Sequence, residues 1–271
     1  HGHLDRQMKG AQWEKNPHGS HTWNRGLLLH WAMTGDPRSL EAAQETGRAF
    51  HRLFYGQSKL AEKSKLLWGE FRVPAWAMEN WLALYEYTGD KTYLNWANEV
   101  FDKTLLAMEQ DNGAQGHILK GGQQTAQFTT YMIEPVCRLH HVTGRKEVIG
   151  FLDRVLSWQR NNGCLRGEEK DGVYYPTVWL TDWEYRPDLT NSVNLGATPH
   201  YSMAFSDGYA YLDHVLGNSA SREFSRKIFR EFMFYYASPN GVPRGSRTPL
   251  GYHQGCDPLD IASKVHAFSG R

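Results

Sequence analysis

Residues 19–36 read GSHTWNRGLLLHWAMTGD, and the reading of this stretch decides the fold. A polar, aromatic entrance (His21, Trp23, Asn24, Arg25) leads into a run that is apolar on nearly every side (Leu27, Leu28, Leu29, Trp31, Ala32, Met33) and stops at Thr34-Gly35-Asp36. A helix that is apolar all round is expected to be covered all round, inside an assembly of helices. The polar residues at its mouth would then open onto a shared space.

The rest of the chain repeats the pattern. Gly89 in Tyr87-Thr88-Gly89-Asp90 and Gly144 in Val142-Thr143-Gly144-Arg145 close two more mostly apolar helices, and Leu216-Gly217-Asn218 closes a fourth. Thr34 to Thr88 spans 54 positions and Thr88 to Thr143 spans 55, whereas Thr143 to Leu216 spans 73 because of one long insertion. Self-similarity at that length marks stacked supersecondary units, none able to bury its apolar face alone. The expected fold is all-α: repeated helical hairpins, about four of them, in a single domain over 1–271 that forms an (α/α) toroid or an open part of one.

Each apolar inner helix is followed by an amphipathic outer one with a single buried stripe. Leu40, Ala43, Gly47, Phe50 and Phe54 mark the first outer stripe, and Leu94, Ala97, Phe101, Leu105 and Met108 the second. The third stripe is Val148, Leu152 and Val155, and the fourth Phe224, Ile228 and Phe232. Pro37 and Pro74 suit first helical turns. The turns inside hairpins are a few residues long, while the connections between hairpins (56–73, 111–126 and 161–199) are long, polar and aromatic. The two rims of the stack therefore differ, and binding is expected at the long-loop rim, where inner helices begin. Helix starts also offer N–H groups and a positive dipole end, which favour an anionic ligand.

Bulk properties narrow the function. Thirty basic residues balance 29 acidic ones for a net charge of +1, with no block of like charge, so no nucleic-acid footprint is present. Ten Trp, 14 Tyr and 12 Phe, many beside Gly, Asn, Gln or His, point to ring-stacking surfaces as well as to core. Cys137, Cys164 and Cys256 form no CxxC pair, so neither a disulfide framework nor a thiolate zinc site is implied. No apolar run approaches a membrane span. The chain starts at His1 without Met and without a signal-peptide pattern, and a leader already removed would fit a secreted or periplasmic protein.

The inner-helix entrances and the loops before them collect the candidate site. The first brings His18, His21, Trp23 and Arg25, and the second Trp68, Glu70, Arg72, Trp76 and Glu79. The third brings His117, Gln124, Gln127, Tyr131 and Glu134. The fourth brings Trp179, Asp182, Trp183, Glu184, Tyr185 and Arg186 from its loop, and His200, Tyr201 and Asp207 from its helix. Rings beside Arg, Asp, Glu and His suit a sugar cleft, where aromatic faces stack on sugars and polar groups read hydroxyls and carboxylates. His21 and Arg25, four apart, share a helix face. For a uronate, Arg25 neutralising the carboxylate would acidify the C5 proton, His21 would remove it and Tyr131 would protonate the leaving oxygen. A competing reading makes Arg25 a structural ion-pair partner. Glu70, Glu79, Asp182 and Glu184 serve the rival chemistry, in which two carboxylates flank a glycosidic bond. His18-x-x-His21 and His1-x-His3 have no third ligand at recognisable spacing, so no metal and no cofactor is expected.

The phrase SHTWNRGLLLHWAMTGDPRSLEAA, with the repeated Thr-Gly-Asp turns, resembles α/α-toroid carbohydrate-active proteins, and most nearly the helical domain of exo-rhamnogalacturonan lyase-like proteins. Unsaturated glucuronyl hydrolases and β-arabinofuranosidases share the hairpin style. The resemblance implies an enzyme acting on an acidic polysaccharide or oligosaccharide, with no nucleic-acid or membrane partner. The residues favour β-elimination, with His21 as base, Tyr131 as acid, and Arg25 and Arg186 holding carboxylates. A glycoside hydrolase using Asp182 or Glu184 is the first alternative, and a non-catalytic glycan- or protein-binding module the second; His200, at the start of the fourth inner helix, is a further catalytic candidate.

Overall fold

The structure, a computed structural model, describes residues 22–55, 72–111, 113, 115–116, 126–163, 168–170, 173–175 and 199–236. Over these, α1 (Arg25–Thr34) and α2 (Pro37–Tyr55) form the first hairpin, and α3 (Arg72–Thr88) and α4 (Lys91–Val100) the second. The third is α5 (Ala126–Thr143) with α6 (Lys146–Trp158), and the fourth α7 (Pro199–Leu216) with α8 (Ser219–Tyr236). The expected hairpin fold is thus observed. The long insertion adds one short antiparallel pair, β1 (Glu168–Lys170) and β2 (Val173–Tyr175). Both middle outer helices run on into π-helical segments, Phe101–Leu106 and Gln159–Gly163, and the first of these returns to α-helix over Ala107–Asp111.

The hairpin turns have a common cause. Gly35, Gly89, Gly144 and Gly217 all adopt φ between +64° and +71°, a left-handed conformation that costs glycine little, and each donates its N–H back into the helix it ends. In the first three, the preceding threonine reinforces the stop. Thr34, Thr88 and Thr143 each donate Oγ1–H to the carbonyl four residues earlier, at 2.6–2.7 Å. The same hydroxyls accept from the N–H of Asp36, Asp90 and Arg145. Asp90 and Asn218 then cap the next helix by accepting from the N–H of Thr92 and Ser221.

The chain divides into two compact units, His1–Met108 and Glu109–Arg271. In the first, α3 is buried along most of its length, with Trp81, Leu82, Ala83 and Leu84 fully covered. The α2 and α4 stripes meet it through Ala43, Phe50, Ala97, Val100, Phe101 and Leu105, while Leu40 and Leu94 are half-buried at its margin. Trp81 Nε1–H donates to the Gly47 carbonyl at 2.9 Å. Phe54 lies outside the described side chains. The expectation of all-round burial fails for α1: Leu28 is buried, but Leu29 is 52% and Met33 77% exposed. The reason is packing. Within its unit α1 lies against α2 and α3 on one side, and composition alone does not create a neighbour for the other.

In the second unit, α5, α6, α7 and α8 pack around Met132, Val136, Val148, Leu152, Val155, Phe205 and Tyr209. Gly208 sits where α7 meets α5 and α6: a Cβ there would lie 2.7 Å from Ile133 Cγ2 and 2.8 Å from Leu156 Cδ1. The α8 stripe also departs from expectation. Ser221, Ser225 and Ile228 are buried, Phe224 is half-buried and the Phe232 side chain lies outside the described set. Small serines let α8 approach α7 closely, and Ser225 Oγ donates to the Ser206 carbonyl at 2.8 Å while Ser206 Oγ donates back to the Ser225 carbonyl at 3.1 Å.

Candidate functional site

The entrance of α1 is fixed by two asparagines. Asn24, buried one residue before the helix, donates from Nδ2 to the carbonyls of Asn80 at 3.1 Å and Ala43 at 3.4 Å. Asn80, on α3, donates to the Thr22 carbonyl at 2.9 Å and the Trp76 carbonyl at 2.7 Å. These four N–H donations tie the start of α1 to α2 and α3, while the two amide oxygens are buried without a partner among the described residues.

On that base stands a ring-and-charge cluster. Trp23 meets the buried Trp76 edge-on, with centroids 5.5 Å apart and planes at 76°, while remaining 38% exposed itself. Arg25 Nη1 lies 3.6 Å from Glu79 Oε1; the arginine side chain is half exposed and the glutamate nearly covered. An ion pair this open is worth roughly 1 kcal/mol or less, so its main effect is orientation. A guanidinium has five N–H donors in a planar fork, enough for Glu79 and a ligand carboxylate together. Trp23, Arg25, Trp76 and Glu79 are therefore brought together, and Arg25 takes the ion-pair role foreseen for it.

In the second unit a half-exposed Arg154 clamped on the buried Glu109 holds the start of the connection into α5. Arg154 Nε and Nη2 donate to the two carboxylate oxygens of Glu109 at 2.6 and 2.8 Å, and the Gly116 N–H donates to Oε1 at 3.0 Å. The hydrogen bonds it donates to Glu109 hold the Arg154 guanidinium above its ordinary pKa. Gly116 has φ +80° and a Cβ there would collide with the Arg154 backbone, so only glycine fits. Further along, His140 Nδ1 and the Tyr211 hydroxyl lie 2.7 Å apart and share one hydrogen. Burial, then the neighbouring His141, lowers the His140 pKa, while burial, then Cys137, raises that of Tyr211.

Of the other expected residues, Tyr131 is 8% exposed on the first half of α5. Arg72 opens α3, Gln127 is the second residue of α5, and His200 and Tyr201 begin α7, with their side chains outside the described set. His18, His21, Trp179, Asp182, Trp183, Glu184 and Arg186 lie outside the described residues, as do Trp68, Glu70, His117, Gln124 and Tyr185. Sequence reasoning missed the Asn24–Asn80 tie, the Glu109–Arg154 clamp and the His140–Tyr211 pair. Only Asn24, a polar residue directly ahead of an apolar run, gave any local signal. Among the described residues no group of three His, Cys, Asp or Glu side chains is placed to hold a metal ion, and no helix is long and apolar enough to cross a membrane.

No family model and no curated protein matches the sequence. Solved structures do match the fold. Unsaturated glucuronyl hydrolase from Bacillus sp. GL1, described as responsible for the degradation of glycosaminoglycan, superposes with a TM-score of 0.57 and 14% identity, over 92% of this chain and 72% of that one. An inactive variant of an alpha-1,6-mannanase from a Salegentibacter species, in complex with alpha-1,6-mannotriose, gives 0.50 and 12% identity over 91% and 74%. The chain therefore has the repeated-hairpin fold of the (α/α) toroid class.

Proposed function

We propose that this protein is a carbohydrate-active enzyme that cleaves a glycosidic bond in a uronate-containing polysaccharide or oligosaccharide. The observation that carries the reading is the α1 entrance: a partly exposed indole, Trp23, beside a half-exposed guanidinium, Arg25, both set on a hydrogen-bonded base. The ring offers a face to a sugar and the guanidinium a fork to its carboxylate. The named activities of the two structural neighbours, a glucuronyl hydrolase and a mannanase, support a glycan as substrate. The resemblance of the first hairpin to exo-rhamnogalacturonan lyase-like domains supports an acidic one.

Hydrolysis is the chemistry favoured, because the two structural neighbours are named as a glucuronyl hydrolase and a mannanase. Elimination, with His21 as base and Tyr131 as acid, is the second reading, supported by the position of Tyr131 on the first half of α5. In the same proposal His18, Trp179, Trp183, Arg186, Arg72, Gln127 and Tyr201 are further sugar contacts, Asp182, Glu184 and His200 are candidates for proton transfer, and 1–271 acts as one domain. Steady-state release of reducing ends from glucuronate and galacturonate oligomers tests the binding role. Arg25→Ala should raise KM about 10- to 100-fold with kcat nearly unchanged, the worth of a hydrogen bond to a charged group. An unchanged KM would remove Arg25 from the site.

A further inference from the structure

The polar residues of the second unit's inner helices fall into two stripes. On α7, Asp207, Tyr211 and His214 are accessible, while Phe205, Ser206, Gly208, Tyr209, Ala210, Leu212 and Asp213 between them are buried. On α5 the same spacing picks out Glu134, Arg138 and His141, with Ile133, Val136 and Leu139 buried and Cys137 and His140 half-buried beside them. Spacings of four and three put each set on one helix face. The two stripes are also in register: Glu134 and Asp207 each stand ten positions before a left-handed glycine, Gly144 and Gly217, and His141 and His214 each stand three before it. Arg25 and Glu79 occupy that same tenth position before Gly35 and Gly89.

Contacts within the unit show that the two helices adjoin. Gly208 is where α7 comes against Ile133 of α5, and three residues later the Tyr211 hydroxyl reaches His140 of α5. Both contacts advance in the same direction, so the helices run parallel. Glu134 follows Ile133 and Asp207 precedes Gly208, which puts the two carboxyl-bearing residues at the level of the Gly208–Ile133 contact. Neighbouring helix axes lie about 8–10 Å apart, a separation from which side chains of this length span the carboxyl distances of either retaining or inverting glycosidases.

From this geometry we infer that Glu134 and Asp207 are the acid and base pair of the proposed glycan-cleaving activity, with Arg138 and Tyr211 one turn along contacting the sugar. The inference rests on the reading of the protein as a glycan-cleaving enzyme and draws both carboxylates of the pair from a single unit. In the inverting form, one carboxyl group gives its proton to the glycosidic oxygen as the bond to the anomeric carbon breaks. The other carboxylate takes a proton from the water whose oxygen forms the new bond. The sum is water added across the linkage, with the enzyme returned to its starting protonation after one proton exchange with solvent.

The test measures reducing-end release from glucuronate and galacturonate oligomers by the full chain and by Glu134→Gln and Asp207→Asn, with oligosaccharide binding by calorimetry and thermal melting alongside. Each variant should lose about 10²–10⁴-fold in kcat with binding and melting nearly unchanged, and loss of the general acid should erase one limb of the pH–rate profile. Glu134→Asp and Asp207→Glu, which keep the charge and move the carboxyl group, should recover part of the rate and serve if an amide variant fails to fold. Amide variants within tenfold of the parent would overturn the pair while leaving the glycan-cleaving activity standing. A parent chain that releases no product from any oligomer would overturn that activity and the pair together.

Discussion

Asn24 and Asn80 bury carboxamides whose N–H donors close on main-chain oxygens of three different segments. Asn80→Ala removes two of these bonds and strands carbonyls in a covered place, a loss of about 1–3 kcal/mol that urea denaturation would read as a lower midpoint with an unchanged slope. Nothing near Asn80 in sequence announces this role, because its partner Asn24 is 56 residues away. Trp23, Arg25 and Trp76 stand out in the sequence because their residue types fit sugar chemistry, but their juxtaposition does not, since it depends on tertiary contacts. A second residue-scale prediction concerns His140 and His51. Burial, before any neighbouring charge, lowers both from the ordinary 6.5. The unfolded chain therefore takes up protons that the native state resists, so stability contributed by the neutral rings is complete above about pH 6.5 and is lost as pH falls through the folded values. The facing groups at His140 are Tyr211, Cys137 and His141. Melting temperature should decline on acidification below pH 6.5, less steeply in His140→Gln; an identical decline in the variant would reject the assignment.

At the scale of elements, periodicity carried most of the information. Val148, Leu152 and Val155 face inward as their spacing requires, and the four helix ends fall at the glycines that the repeated turns mark. What periodicity omits is which face finds a neighbour. Leu29 and Met33 have the composition of a core and the exposure of a surface. Met33→Lys should accordingly change stability by no more than about 0.5 kcal/mol, and a loss several times larger would show that this face is covered in solution. Gly208 is the opposite case, a residue with no side chain at a place that decides helix separation. Gly208→Ala forces a methyl against Ile133 and Leu156, with an expected cost of about 1–3 kcal/mol from overpacking. Stability equal to or above the parent's would mean that α5 and α7 sit further apart. The π-helical segments at Phe101–Leu106 and Gln159–Gly163 had no visible sequence signal.

For the molecule as a whole, the repeat spacing predicted the fold class, and the likeness to glucuronyl hydrolase and mannanase structures agrees with it. The insertion hid a short strand pair because three-residue strands are too brief for alternation to register. If 1–271 is one domain, heat should unfold it in a single calorimetric transition whose van't Hoff and calorimetric enthalpies agree; two resolved transitions would argue for separate domains. The central claim, that the chain cleaves acidic glycans by carboxylate chemistry, is tested most directly by analysing what it makes. Incubated with uronate oligomers in ¹⁸O-labelled water, the protein should release shorter sugars that carry the label at the newly formed end, without a new unsaturated uronate. Products with an ultraviolet-absorbing unsaturated end and no label, or no products at all, would contradict it.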